Sequence, residues 1–328
     1  MNKQVEISYK SIVFAVLFPL FLWFLWINQE LLFSLLIAFI LMSALRPIAE
    51  WLVAHKFPRT AAIFTVFFGF IIFFTGLVSL IIPPIVQETT TFIRNLPTIV
   101  QDINPEIRQY IDLSSISQYV PSVTNNIFGV IGGLFSNFIF ILTTLFFTLY
   151  FLMERDLVRK ALKPFFHSKE VEHYATIAEQ VEVRLTAWFW GQISLMFLIG
   201  LVTYIVLSLL GIRYALPLAV LSGLLEIVPN LGPILATFPA ALVGFSSSVV
   251  TGIAVVAVYF IIQQLENAVI VPQIMRRAVG VNPIMTLISL LIGGKIGGVL
   301  GVLLSIPLLL ITQTIISEVW KHRKQTRE

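Results

Sequence analysis

Cysteine is absent from the 328 residues, which removes disulfides, thiolate nucleophiles and Cys-ligated metals and leaves the redox compartment undefined. Histidine is scarce: His55, His167, His173 and His322 are the four, and all lie in charged flanks. No His-Glu-x-x-His helix, Gly-x-Ser-x-Gly elbow or Gly-x-x-x-x-Gly-Lys-Ser/Thr phosphate loop occurs. The chain therefore carries no signature of hydrolytic, metal-dependent or ATP-driven chemistry, and no cofactor is expected. Charge is the other shortage. Asp, Glu, Lys and Arg make up only 12% of the chain, about half of ordinary soluble usage. The net charge is +4, but the basic residues stand beside apolar runs rather than in a groove interleaved with aromatics. That pattern argues for lipid contact and against nucleic acid.

What replaces charge is hydrocarbon. Hydrophobic residues are 58% of the sequence and the mean hydropathy is +0.94, which implies an all-α, polytopic integral membrane protein. Eight runs approach the roughly 20 apolar residues that a spanning helix needs: 12–27, 31–45, 60–82, 127–153, 188–210, 216–228, 249–262 and 284–316. The first resembles a signal peptide in length, but it ends in Asn28-Gln29-Glu30 without a small-residue cleavage pattern and reads as an uncleaved span. Because the second run is short, the first two are expected to form a tight hairpin through 28–30.

Lysine and arginine in short flanks are retained on the cytoplasmic side. Lys3, Lys10, Arg46, Lys56, Arg59, Arg155, Arg159, Lys160, Lys163, Arg276, Arg277, Lys321, Arg323, Lys324 and Arg327 are then expected on the cytoplasmic side, with both termini. The acidic segment 84–123 is expected to be external and helical, cut by Pro97, Pro105 and Pro121. Segment 154–187 is expected to be cytoplasmic, and its helix is amphipathic: Val171, Tyr174, Ile177 or Ala178, Val181, Leu185 and Trp188 recur at helical spacing. The whole of 1–328 reads as one transmembrane domain. Trp188, Trp190 and Trp320 look like interfacial anchors.

Two stretches break the apolar pattern. Residues 223–244 read GLLEIVPNLGPILATFPAALVG, in which Glu226 and Asn230 interrupt hydrocarbon and Pro229, Gly232 and Pro233 interrupt helix. Proline removes a donor and clashes with the carbonyl one turn back. In a membrane, such a break survives only when buried in protein or lining a wet cavity, where transporters place substrate and ion sites. Residues 263–277 repeat the theme, with Gln263, Glu266 and Asn267 ahead of Pro272. A carboxylate in an apolar run costs about 2.5–3.5 kcal/mol on insertion scales. Glu226 and Glu266 are therefore candidates for coupling or binding, with interhelical capping as the structural alternative.

Run 284–316 is too long for one simple span. Gly293, Gly294, Gly297 and Gly298 divide it around Lys295, which either snorkels or pairs with a carboxylate. Broken or re-entrant helices are thus expected near 229–246 and 284–316.

The ordered series Gly211-Ile212-x-Tyr214-Ala215-Leu216, Glu226-Ile227-Val228-Pro229-Asn230-x-Gly232-Pro233, Glu266-Asn267, Pro272-Gln273-Ile274-Met275, Val279-Gly280, Pro283, Gly293-Gly294, Gly297, Gly301 and Pro307 resembles the autoinducer-2 exporter-like transporter family. The resemblance implies a bacterial permease. The family includes proteins assigned to signal export and others assigned to sodium/proton antiport, and Asn230 stands where an aromatic is often found. Export of a small polar metabolite by an ion-coupled mechanism, sodium(lithium)/proton antiport through Glu226 or Glu266, and a non-transporting scaffold all remain open at this point. The partners expected are the lipid bilayer, a small-molecule or cation substrate, a coupling proton or sodium ion, and further copies of the chain in a homo-oligomer.

Overall fold

The computed structural model describes residues 9–77, 79, 83, 137–229, 231–274 and 283–325. The expected external segment 84–123 lies outside them, as do Asn230 and the basic pair Arg276 and Arg277. Every regular element among the described residues is a helix. In chain order they are α1 (Tyr9–Ile27), α2 (Gln29–Ala54), α3 (Arg59–Leu77), α4 (Phe138–Met153), α5 (Leu157–Leu162), α6 (Ser168–Leu209), α7 (Ala215–Leu225), α8 (Leu231–Ser247), α9 (Val249–Ile274) and α10 (Pro283–Gln325). Five of these (α2, α3, α6, α9 and α10) are long and apolar enough to cross a membrane, and four shorter apolar helices accompany them. The protein is polytopic.

The hairpin expected at 28–30 does not form. Asn28 donates its main-chain N–H to Phe24 and accepts from Leu32, so helical bonding carries on through it. α1 makes little contact with α2, and its side chains from Phe14 to Ile27 are largely exposed.

α6 is the spine. Its 42 residues reach about 63 Å at 1.5 Å per residue, and no proline interrupts them. Val171, Ile177, Val181, Leu185 and Trp188 are buried along one stripe, as the sequence period requires. Trp188 is 7% exposed and belongs to the core against Ile40, Leu195, Leu304 and Leu310. It is not an interfacial anchor, because the stripe that carries it runs without interruption into the span. Trp190 is half exposed and donates its indole N–H to the Ala44 carbonyl at 3.1 Å. Trp320 is 67% exposed, as an anchor should be.

Three apolar clusters share these helices: one joins α2, α6 and α10, one joins α6 to α7, α8 and α9, and one joins α2, α3 and α4. The α2–α6 contact is also polar. Pro47 has no N–H to offer the Ser43 carbonyl one turn back, and the Thr186 hydroxyl donates to that oxygen at 2.7 Å. Arg46 pairs with Glu182 at 2.6 Å and donates to the Phe151 carbonyl at 3.1 Å, tying α2 to α6 and α4. Nearer the start of α6, the exposed Arg159 of α5 bonds Glu172 and Glu179, two turns apart. Those two carboxylates hold its guanidinium well above its ordinary range.

α10 is two helices rather than one. Gly298 has φ 56° and ψ −135°, a left-handed conformation open to glycine. Beyond it the chain doubles back, because a Cβ on Gly293 or on Gly301 would run into the other's carbonyl. The glycine-marked fold-back expected within 284–316 is therefore present, with Gly294 against Val302 and Gly297 against Phe33 of α2.

Candidate functional site

α7 stops where its donors run out. Pro229 cannot donate, and the residues before it tighten to three-residue bonds: Ile227 to the Leu224 carbonyl at 3.2 Å and Val228 to the Leu225 carbonyl at 3.1 Å. Gly232 then donates to the Val228 carbonyl at 3.0 Å, and α8 begins. Pro233 stands in the first turn of α8, where its missing N–H would have had no partner anyway. The return is so close that a Cβ on Gly232 would fall on the Leu225 carbonyl and 2.7 Å from the amide nitrogen of Glu226. The broken helix is thus a tight hairpin, with Gly232 and Pro233 buried at its turn.

Two neighbours hold this hairpin. On one side α7 crosses α6 at Gly200 and Gly223, where a Cβ on Gly223 would lie 2.7 Å from the Met196 carbonyl. On the other, α8 and α9 pack along their length. Ser248 caps α9 by accepting the Thr251 N–H at 3.0 Å.

Glu226 sits at the break with 0% exposure, and Glu266, two turns before the end of α9, with 1%. Their carboxyl groups adjoin, close enough to share a hydrogen bond. Apart from each other, the carboxyls find no hydrogen-bond partner among the described residues for either oxygen of Glu226 or for Oε2 of Glu266. Gln192 of α6, 3% exposed, donates Nε2 to the main-chain carbonyl of Glu226 at 2.6 Å, while its own Oε1 is buried and unpartnered among the described residues. Ser222, one turn before Glu226, donates to the Leu218 carbonyl at 2.8 Å and shares a 2.8 Å hydrogen bond with the Tyr259 hydroxyl. Tyr259 lies two turns before Glu266 on α9, so α7 and α9 are joined at two levels.

The end of α9 is itself irregular. Glu266–Ile270 forms a π-helical turn, the kind of local widening that often marks functional sites. It accommodates Pro272 inside the helix, where a regular turn would bring the ring against the carbonyl four residues back.

The remaining sequence candidates separate. Gln263 is half-buried on α9, while Asn267 and Pro272 are exposed, as is Lys295 beside the α10 turn. Pro229 is half-buried. The geometry therefore brings Glu226 and Glu266 together and leaves Asn267 and Lys295 on the outer surface. Gln192, Ser222 and Tyr259 were not singled out in the sequence. The available signals were faint: one amide in a long apolar run, a hydroxyl four residues before Glu226, and a tyrosine seven before Glu266. Among the described residues no group of three or more His, Cys, Asp or Glu side chains could hold a metal ion.

Comparison with known proteins places the chain among membrane transporters. Of the relatives, "Putative transport protein YueF" of Bacillus subtilis is 26% identical over 306 residues, covering 85% of this chain and 81% of that protein. "Putative transport protein YrrI" of the same organism is 24% identical over 314 residues, covering 90% and 88%. "AI-2 transport protein TqsA" of Escherichia coli is 22% identical over 302 residues, covering 88% and 86%. The model of the AI-2E family transporters matches residues 12–321, and the chain belongs to that family of membrane transporters.

Proposed function

We propose that this protein is a secondary, ion-coupled transporter that exports a small polar metabolite or signal molecule across a bacterial inner membrane, with Glu226 as its coupling carboxylate. One observation carries the reading: a fully buried pair of adjoining carboxyl groups stands at a proline- and glycine-broken helix turn. A scaffold has no use for such groups, since each ionised carboxylate in hydrocarbon costs several kcal/mol on the order of 2.5–3.5. A transporter does use them, because a site that changes charge as it fills and empties links one movement to another. The name of TqsA, an AI-2 transport protein, supports a small polar substrate without fixing which one.

Orientation belongs to the same proposal. The basic flanks support a cytoplasmic position for the Ser168 end of α6, for 154–187 and for both termini, and an outer position for 84–123. Single cysteines at Glu172 and Arg213, beyond opposite ends of the α6 span, test this in a chain without native cysteine. Glu172→Cys should react with an impermeant maleimide only from the cytoplasmic face and Arg213→Cys only from the outer face; the reverse result would invert the topology.

Transport is tested by solute flux in vesicles of purified protein under imposed ion gradients. The wild type should move a polar solute in a gradient-dependent way, and Glu226→Gln should insert normally yet lose that dependence. Gradient-dependent flux that survives Glu226→Gln unchanged would make this carboxyl structural.

A further inference from the structure

The end of α2, the start of α3 and the end of α4 meet beside a shallow cleft remote from the buried carboxyls. Arg46 and Glu50 of α2, Arg59 of α3 and Arg155 just beyond α4 line it over apolar side chains, so three guanidiniums face one carboxylate. Arg46 is already engaged, by Glu182 and the Phe151 carbonyl. Arg59 is exposed and pairs with no carboxylate among the described residues; it donates Nη2 to the Met153 carbonyl at 3.2 Å, and the other donors of its five-donor fork stay available. Arg155 reaches Glu50 only at 3.6 Å, with both side chains about half exposed. The α2–α3 turn gives a second, independent sign. Phe57 donates to the Leu52 carbonyl at 3.2 Å and Lys56 to the Val53 carbonyl at 3.0 Å, a helix ending that ordinarily selects glycine for its left-handed residue. Lys56 holds that position with φ 71°, exposed and without a carboxylate partner among the described residues. A side chain there is strained where glycine would not be, and such an outlier points to a use for its charge.

We propose that this cleft is a binding site for the headgroup of an anionic phospholipid, with Arg59 and Arg155 holding its phosphate and Lys56 adding charge. The guanidinium fork matches phosphate oxygens in pairs. The cleft opens where three apolar helices end, and basic pockets between transmembrane helices are the places where such headgroups bind. Trp51 and Phe57 beside it are exposed, as aromatics are at headgroup level. Lipid is favoured over free phosphate because α3 also offers the acyl chains a surface: Phe64 and Phe68 are exposed, with their rings stacked 6.0 Å apart. The site does not rest on the transporter reading, and flux plays no part in its test.

The experiment uses the full chain in detergent micelles at constant ionic strength, titrated with phosphatidylglycerol or with phosphatidylcholine of the same acyl chains. Phosphatidylglycerol should raise the thermal midpoint by about 3–5 °C at a hundredfold excess over Kd. Phosphatidylcholine, whose choline brings a cation to the same arginines, should raise it less. Arg59→Gln and Arg155→Gln should each raise Kd about fivefold, and the double variant about 25-fold. Lys56→Gly separates binding from structure. Its midpoint in phosphatidylcholine should rise, because glycine suits the left-handed turn, while its Kd for phosphatidylglycerol rises about fivefold. Lys169→Gln is the control: it removes the same charge about 20 Å along α6 from Glu182, the partner of Arg46, beyond the screening length of about 8 Å, and should bind as the wild type does. The proposal is overturned if the two lipids shift the midpoint equally, if inorganic phosphate at the same concentration reproduces the shift, or if the double arginine variant keeps the wild-type Kd. Equal weakening by Lys169→Gln and Arg59→Gln would also overturn it, since the attraction would then belong to diffuse surface charge and not to the cleft.

Discussion

Replacing Gly232 by alanine tests whether the turn between α7 and α8 is closed by main-chain packing. The added methyl would fall on the Leu225 carbonyl and 2.7 Å from the Glu226 amide nitrogen. Both are backbone atoms in the last turn of α7, so neither can swing away as a side chain would. Overpacking costs about 1–3 kcal/mol, and with no rotamer to relieve it the upper end applies. At 1.4 kcal/mol per tenfold, about 3 kcal/mol raises the population of the opened hairpin on the order of 100-fold. The absence of native cysteine supplies the assay. Ser222 is 1% exposed and faces the Tyr259 hydroxyl, so a cysteine there is alkylated only when the hairpin parts from α9. With opening fast relative to labelling, the alkylation rate of Ser222→Cys follows that population, and Gly232→Ala should raise it on the order of 100-fold. Gly69→Ala in α3 is the control, since a Cβ there meets nothing within 4 Å. Equal labelling rates with and without Gly232→Ala would refute the claim that backbone contact closes the turn.

Other contacts give sharper or weaker expectations. Arg46→Gln leaves Glu182, whose side chain is 17% exposed, without its cation, and should lower stability by about 1–3 kcal/mol, read as a fall in the thermal midpoint in detergent. Arg159→Gln, by contrast, should leave the midpoint unmoved in high salt, because its partners are more than half exposed and such pairs are screened. Thr186→Val removes the donor to the Ser43 carbonyl that Pro47 leaves free, at about 1–3 kcal/mol. The same substitution in a Pro47→Ala background should cost measurably less, and a double-mutant cycle with no such difference would dismiss the link. Gly301→Ala should part the two arms of α10, seen as faster proteolysis within 283–325.

The sequence made the breaks visible because they are written in residue types with fixed backbone consequences. Pro229 and Pro233 announce a lost donor wherever they stand, and the glycines of 293–301 announce close approach, so the hairpin at 226–232 and the fold-back at Gly298 could both be anticipated. The buried stripe of α6 followed from its period. What was not legible depends on which helix faces which. Periodicity cannot say that α9 presents Glu266 to Glu226, or that Gln192 of α6 reaches the Glu226 carbonyl, because those contacts are set by the glycine crossings at 200, 223, 244 and 252. Nor could composition separate Glu266 from its neighbour Asn267: the π-helical turn buries one and exposes the other. Trp188 misled for a related reason, since an aromatic at the mouth of an apolar run fits an interface and a core stripe equally well.

The placement of the site on α6 has a mechanical consequence. Gln192, which holds the Glu226 carbonyl, and Glu182, which holds Arg46, are ten residues apart on one proline-free helix, about 15 Å along its axis. A helix interior whose main-chain bonds are all made does not shorten, so an axial shift of one contact carries the other with it. On the site side the contact is rigid, because glycine-to-backbone packing at Gly200 and Gly223 leaves α7 no room to slide on α6. On the α2 side it consists of side chains: apolar packing around Ile40, one ion pair, the Thr186 hydroxyl and the Trp190 indole. Side-chain hydrogen bonds can be exchanged for others at modest cost, whereas main-chain interlocking cannot. Any movement that opens the buried carboxyls should therefore take α6, α7, α8 and α9 together and slip at the α2 interface, with Arg46 and Glu182 as the pair that breaks.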